Sequence, residues 1–256
     1  MFSDFLNSIP MIILTLPAVL LSLSVHEAAH GYVAYKLGDP TARNLGRLTL
    51  NPLKHLNPIG FLSMLFFRVG WANPVPINTR YFKNPKRDMA ISAAAGPVSN
   101  LCLGIIFTIL LRIVLIPLQN IADGLYWVNN GRYYIDESLQ SNTAFALLSV
   151  LAVMLYLGIS LNFNLMFFNL IPLPPLDGSR IATMFLPSNL YFKIMRYERY
   201  IMIVFILLLA SGIISLPLSH LTGGLSDILY KITGMPDDLL TVVISDIINR
   251  LPTFSL

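Results

Sequence analysis

One cysteine, Cys102, among 256 residues leaves no intramolecular disulfide to form. In an apolar stretch it reads as a small packing residue. Charge is scarce as well: Asp, Glu, Lys and Arg make up 12% of the chain against 55% hydrophobic residues, too few to solvate soluble domains of this length. The net charge of +4 would suit an acidic partner, but the sequence has no basic helix and no basic patch interleaved with aromatics, which argues against nucleic acid. Nor is there a positive n-region near the start, where Asp4 is the sole early charge. The first apolar stretch is therefore expected to be a mature membrane segment rather than a cleaved signal peptide.

Apolar length is what the chain has in quantity. Four stretches are long enough to span a bilayer, at residues 9–37, 89–118, 143–171 and 200–218. The expected fold class is an all-α polytopic membrane protein with about four transmembrane helices. Residues 1–220 would form its core and 221–256 a helical tail lying along the interface or packed against the bundle. Thirteen of the seventeen Lys and Arg fall in the loops after the first and third stretches, with Lys36 and Arg199 at their edges. That bias predicts a multi-pass protein of the cell (inner) membrane, with these loops in the cytoplasm and both termini outside. Tyr126, Trp127, Tyr133 and Tyr134 in the second loop read as an anchor at the outer interface.

Against this background the turn His26-Glu27-Ala28-Ala29-His30 stands out. Imidazoles four residues apart on a helix lie one above the other on one face, close enough to share a metal ion. Glu27 beside them can reach water at that ion, the arrangement of zinc-dependent hydrolases. Ionisable groups at membrane depth each cost a few kcal/mol or more, so three in one turn need a purpose. In the predicted topology the pair lies toward the cytoplasmic end of the first span.

A third ligand should come from the same level. The third stretch ends in Asn169-Leu170-Ile171-Pro172-Leu173-Pro174-Pro175-Leu176-Asp177-Gly178, where three prolines in four positions stop a helix. Irregular backbone near membrane depth is tolerated where it lines a cavity or is buried in protein. Asp177, held on that break, would complete a tetrahedral site with His26, His30 and an open position for water, one zinc per chain. His55 and His220 are rival ligands, His55 on the expected side and His220 on the opposite one.

Together the two motifs resemble the site-2 proteases, intramembrane zinc metalloproteases whose signature pairs HExxH on one helix with N-x-x-P-x-x-x-x-D-G on another. The likeness runs from about Ser22 to Arg180 and includes Gly96-Pro97-Val98-Ser99-Asn100, which looks like the family's central helix. By this resemblance His26, His30 and Asp177 bind zinc, Glu27 is the catalytic acid/base, and the chain is a minimal form without the PDZ or CBS domain of many members. The implied activity is hydrolysis of peptide bonds within or near transmembrane segments of other membrane proteins, so the expected partners are such a substrate and the lipid bilayer.

Substrate handling is less determined. A transmembrane helix must be opened before cleavage, and strand addition is an economical way to hold the opened backbone. Residues 42–50 and 69–78 of the first loop are the candidates, and the resemblance implies a small membrane-associated β element there. The small residues around Gly96 allow close helix approach, leaving Asn100 either on substrate or oxyanion, or as interhelical glue. Asn169 either positions substrate or satisfies carbonyls freed by Pro172, while Asn162 and Asn164 read as packing contacts. His55 is a candidate for substrate contact or for support behind the ligands. Two other function classes compete with proteolysis: a metal or proton transporter using the same ionisable residues, and a client-binding membrane protein without catalysis. The spans offer almost no ionisable residues toward the outer face, which a transport path would need.

Overall fold

The computed structural model describes residues 2–67, 70, 72–129, 132–187 and 196–250. Helices dominate. The first, α1 (Phe2–Lys36), is followed by a single turn, α2 (Thr41–Asn44), then α3 (Pro58–Phe67) and the long α4 (Pro85–Ala122). A hairpin of β1 (Tyr126–Asn129) and β2 (Arg132–Ile135) and the turn α5 (Glu137–Gln140) lead into α6 (Thr143–Asn169). After the proline break come α7 (Asp177–Thr183), α8 (Glu198–Ala210), α9 (Ser215–Thr233) and α10 (Asp237–Arg250).

Three helices are long and apolar enough to cross a membrane: Ile9–Lys36, Pro85–Ala122 and Thr143–Asn169. They match the first three expected stretches. The fourth differs from the expected span over 200–218, because α8 stops after 13 residues and Gly212 takes a left-handed conformation with φ of 76°. Glycine meets that φ without a Cβ clash, so the chain turns at 211–214 and starts again as α9. The count of long apolar helices among the described residues is therefore three, not four.

The expected β element in the first loop also differs. Residues 41–44 are helical and Gly46 turns the chain at φ of 63°, which interrupts the alternation over 42–50. The described part of 69–78 is extended, yet between Gly38 and Asp88 the described residues contain one isolated bridge, Leu56 to Ala72, and no strand. Pro74 and Pro76 explain this, since neither has an N–H for a ladder. Strands form instead in the second loop, where Tyr126 pairs with Ile135 and Asn129 with Arg132 in antiparallel register. An Asn130-Gly131 dipeptide between two aromatic and β-branched runs is a hairpin signal that the interfacial-anchor reading passed over. Side chains of Trp127, Tyr133 and Tyr134 lie outside the described residues.

The chain divides into two compact units, and α1, α4, α6 and α9 each contribute residues to both. One unit takes residues through Val19, Gly104–Leu161 and the chain from Leu225. Its core includes Leu111, Leu115 and Phe145, with Val242 and Val243 from α10. Gly158 of α6 lets the Phe107 ring approach to where a Cβ would stand 2.6 Å from it. The other unit, Leu20–Leu103 with Asn162–Gly224, holds every residue discussed next. Within it, Asn162 Nδ2 donates to Ser22 Oγ at 2.8 Å and Thr222 Oγ1 donates to Asn164 Oδ1 at 3.0 Å, so both asparagines serve interhelical packing as expected.

Candidate metal centre

The helical spacing of His26 and His30 brings their rings together edge to face, with centroids 4.6 Å apart. Their Nε2 atoms are 3.0 Å from each other, and each lies 3.2 Å from Oδ2 of Asp177. Three donors about 2.0–2.2 Å from a zinc ion at tetrahedral angles would stand roughly 3.3–3.6 Å apart, close to this triangle. Among the described residues no other His, Cys, Asp and Glu group of three or more converges so.

The surroundings fit the same purpose. His30 Nδ1 donates to the Ser92 carbonyl of α4 at 2.7 Å, which leaves the Nε2 lone pair free to bind metal. Gly96, one turn further along α4, lies against both imidazoles: a Cβ there would fall 2.4 Å from His30 Nε2 and 2.5 Å from His26 Cε1. Only a glycine lets α4 come this near the two imidazoles. Both histidines are 7% exposed, and His26 Nδ1 is buried without a hydrogen bond among the described residues.

Asp177 reaches the pair by a different route. After α6 ends at Asn169, the chain passes irregularly through Pro172, Pro174 and Pro175, with a cis Pro174-Pro175 bond, and Asp177 opens the short α7. A Cβ on Gly178 would sit 2.3 Å from the Leu170 carbonyl oxygen and 2.4 Å from that of Ile171, so α7 begins flush against the end of α6. That contact fixes where Asp177 emerges. Burial pushes its carboxyl up, but hydrogen bonding to His26 and His30 and their charge prevail, holding it well below the usual carboxylate range. A carboxylate with two imidazoles is a donor set that suits zinc.

These groups face a cavity of about 300 Å³ whose walls also include Glu27, Val75, Asn169 and Arg180. Asn169 Nδ2 donates to the Leu165 carbonyl of its own helix at 3.0 Å while the residue lines the cavity, so the side chain is tied to α6 at the cavity wall. Asn100 does not line it. It is wholly buried, and neither end of its amide has a hydrogen bond among the described residues. His55 is also wholly buried away from the cavity, with Nε2 donating to the Thr49 carbonyl at 2.8 Å, an internal brace of the first loop. His220 is exposed and outside the cluster.

Sequence reasoning missed three participants. The Ser92 carbonyl, and the Val75 amide that donates to Glu27 Oε2 at 2.8 Å, are backbone groups with no residue-type signal. Gly96 was visible as part of a small-residue stripe, which reads as helix packing without saying what packs there.

The model of Peptidase family M50 matches residues 14–211, from α1 through both motifs. The chain belongs to peptidase family M50. This is the site-2 protease family, and the M50 chain is a membrane zinc metalloendopeptidase. YwhC of Bacillus subtilis (strain 168), provisionally named a zinc metalloprotease, is 39% identical over 203 residues, covering 79% of this chain and 81% of YwhC. Rip2 of Mycolicibacterium smegmatis, named likewise, is 29% identical over 180 residues, 68% of this chain and 57% of Rip2. Rip2 of Mycobacterium tuberculosis is 27% identical over 166 residues, 62% of this chain and 52% of that protein. No solved structure gives a significant match.

Proposed function

We propose that this M50 chain cleaves peptide bonds within or next to transmembrane segments of other membrane proteins, with His26, His30 and Asp177 as zinc ligands and Glu27 as acid/base. The observation that carries the reading is the meeting of three donor atoms from α1 and α7 in one cavity with Glu27 on its wall. Zinc, when bound, supplies Lewis acidity toward the scissile carbonyl and makes water a better proton donor to a nearby base.

The rest falls to residues of this chain. Glu27 accepts a proton from the attacking water and returns it to the leaving amine, the two halves of general acid/base work by one carboxylate. The Ser92 carbonyl keeps His30 in the metal-binding tautomer, and Gly96 leaves room for both rings. Asn169, which lines the cavity, is the group of this set that would meet substrate backbone. Neither Asn100 nor His55 lines the cavity, and His55 braces the first loop instead. Strand addition along 73–78 has little to offer a substrate: two of the six residues are prolines, and the N–H groups of Asn73, Val75 and Asn78 are already engaged internally.

In this reading the chain is multi-pass in the cell membrane with its site toward the cytoplasmic side, supported by the bias of Lys and Arg toward the first and third loops. Glu27→Gln tests the core of it. The variant should retain zinc yet lose cleavage of a single-span membrane fusion protein in liposomes, by a factor of about 100 or more. Full turnover by Glu27→Gln would remove Glu27 from the chemistry.

A further inference from the structure

Pro74-Val75-Pro76 contains a single backbone N–H, because neither proline carries one. That N–H donates to Oε2 of Glu27 at 2.8 Å. Val75 is 6% exposed, and its Cγ1 lies 2.8 Å from where a Cβ on Gly31 would be, so its side chain is seated against α1 one residue beyond His30.

Both ends of the segment are fixed by groups away from the metal ligands. At Asn73 the backbone N–H donates to the His55 carbonyl and the carbonyl accepts from Arg47 Nη2, each at 2.7 Å. The Asn73 side chain adds a bond from Nδ2 to the Leu56 carbonyl at 3.1 Å and accepts one from Asn57 Nδ2 at 2.9 Å. At the other end the Asn78 N–H donates to Asp39 Oδ2 at 2.7 Å. Asp39 is wholly buried, and its other oxygen accepts from the Thr41 N–H at 2.9 Å and from the Thr41 hydroxyl at 2.5 Å.

We propose that the Val75 amide is a positioning group for Glu27, clamped in place by Asp39 at one end of its segment and Asn73 at the other. Holding Oε2 restricts a side chain that otherwise swings through several rotamers, and it leaves Oε1 for proton transfer. General-base work requires the accepting oxygen within hydrogen-bond reach of the proton, so orientation feeds directly into turnover. Two prolines make the clamp stiff, since each fixes its own φ. The inference rests on the reading of Glu27 as acid/base. Its rival is that a buried N–H has simply found an acceptor, with no effect on turnover.

Replacing Val75 with its α-hydroxy acid analogue converts the amide to an ester, which deletes this N–H while keeping the side chain and both prolines. Zinc per chain, kcat and KM are then measured on a single-span membrane fusion that the unmodified enzyme cleaves. The expected result is unchanged zinc content, KM within about twofold and kcat lowered about tenfold or more. A kcat within twofold of the unmodified enzyme, or a loss of kcat accompanied by loss of zinc, overturns the proposal. Asp39→Asn gives a route that does not depend on assembling the ester: kcat should fall severalfold with zinc retained, and an unchanged kcat contradicts the clamp. Glu27→Gln run alongside separates the two levels. If it is inactive while the ester is fully active, the positioning role fails alone; if it is itself active, the acid/base reading beneath it fails.

Discussion

The two arms of the candidate metal centre are built in opposite ways. His26 and His30 are placed by the regular pitch of α1, whereas Asp177 arrives from an irregular, proline-interrupted connection and is located by the close seating of Gly178 on the Leu170 and Ile171 carbonyls. Helical pitch is a property of any α-helix, so the first arm needs only the correct residues at i and i+4. The second arm has no repeat to rely on. It needs a helix stop, a residue without a Cβ and a short helix beginning at one place.

Breaking the regularity of the helical arm should have the largest effect. Inserting one alanine between His26 and His30 turns the second imidazole by about 100° away from the first. Zinc affinity should then fall about a hundredfold to a thousandfold, measured by competition with a chromophoric chelator. Gly178→Ala probes the irregular arm: its Cβ must push α7 off the end of α6 and carry Asp177 with it. A loss of about ten- to a hundredfold in zinc affinity is expected, of the size seen when groups supporting metal ligands are removed. Gly96→Ala probes the helical arm from α4, because a Cβ would overlap both imidazoles rather than backbone. Side chains yield more easily than carbonyls, so about a tenfold loss is expected in the same titration. Ser22→Ala is the smallest perturbation. It leaves α1 and the metal donors in place but removes the acceptor of Asn162 Nδ2, so it should cost about 1 kcal/mol or somewhat more in unfolding with zinc affinity unchanged.

This contrast also explains what could be read from the sequence. The helical arm was legible to the residue because spacing alone encodes it. For the other arm, the proline run and Asp177-Gly178 marked the location, while the reason for the glycine appears only when two carbonyl oxygens are found where its Cβ would be. Three of the four apolar stretches became long helices with boundaries shifted by a few residues. The fourth was lost to a turn at Gly212, whose left-handed φ no hydropathy window reports. The strand expectation failed in the first loop because 41–44 is helical with a turn at Gly46 and because Pro74 and Pro76 carry no N–H, while the hairpin in the second loop was signalled by Asn130-Gly131. Asn100 and His55 were candidates by residue type and depth. Burial separates them from the cavity, and burial of a single side chain is a property of tertiary packing rather than of local pattern.

Zinc content of the purified chain and of Asp177→Ala, measured side by side after both are supplied with the metal and washed, bears most directly on this account. Close to one zinc per chain is expected for the natural sequence and close to none for the variant. Equal zinc in both, or none in either, would contradict a site made jointly by α1 and the start of α7.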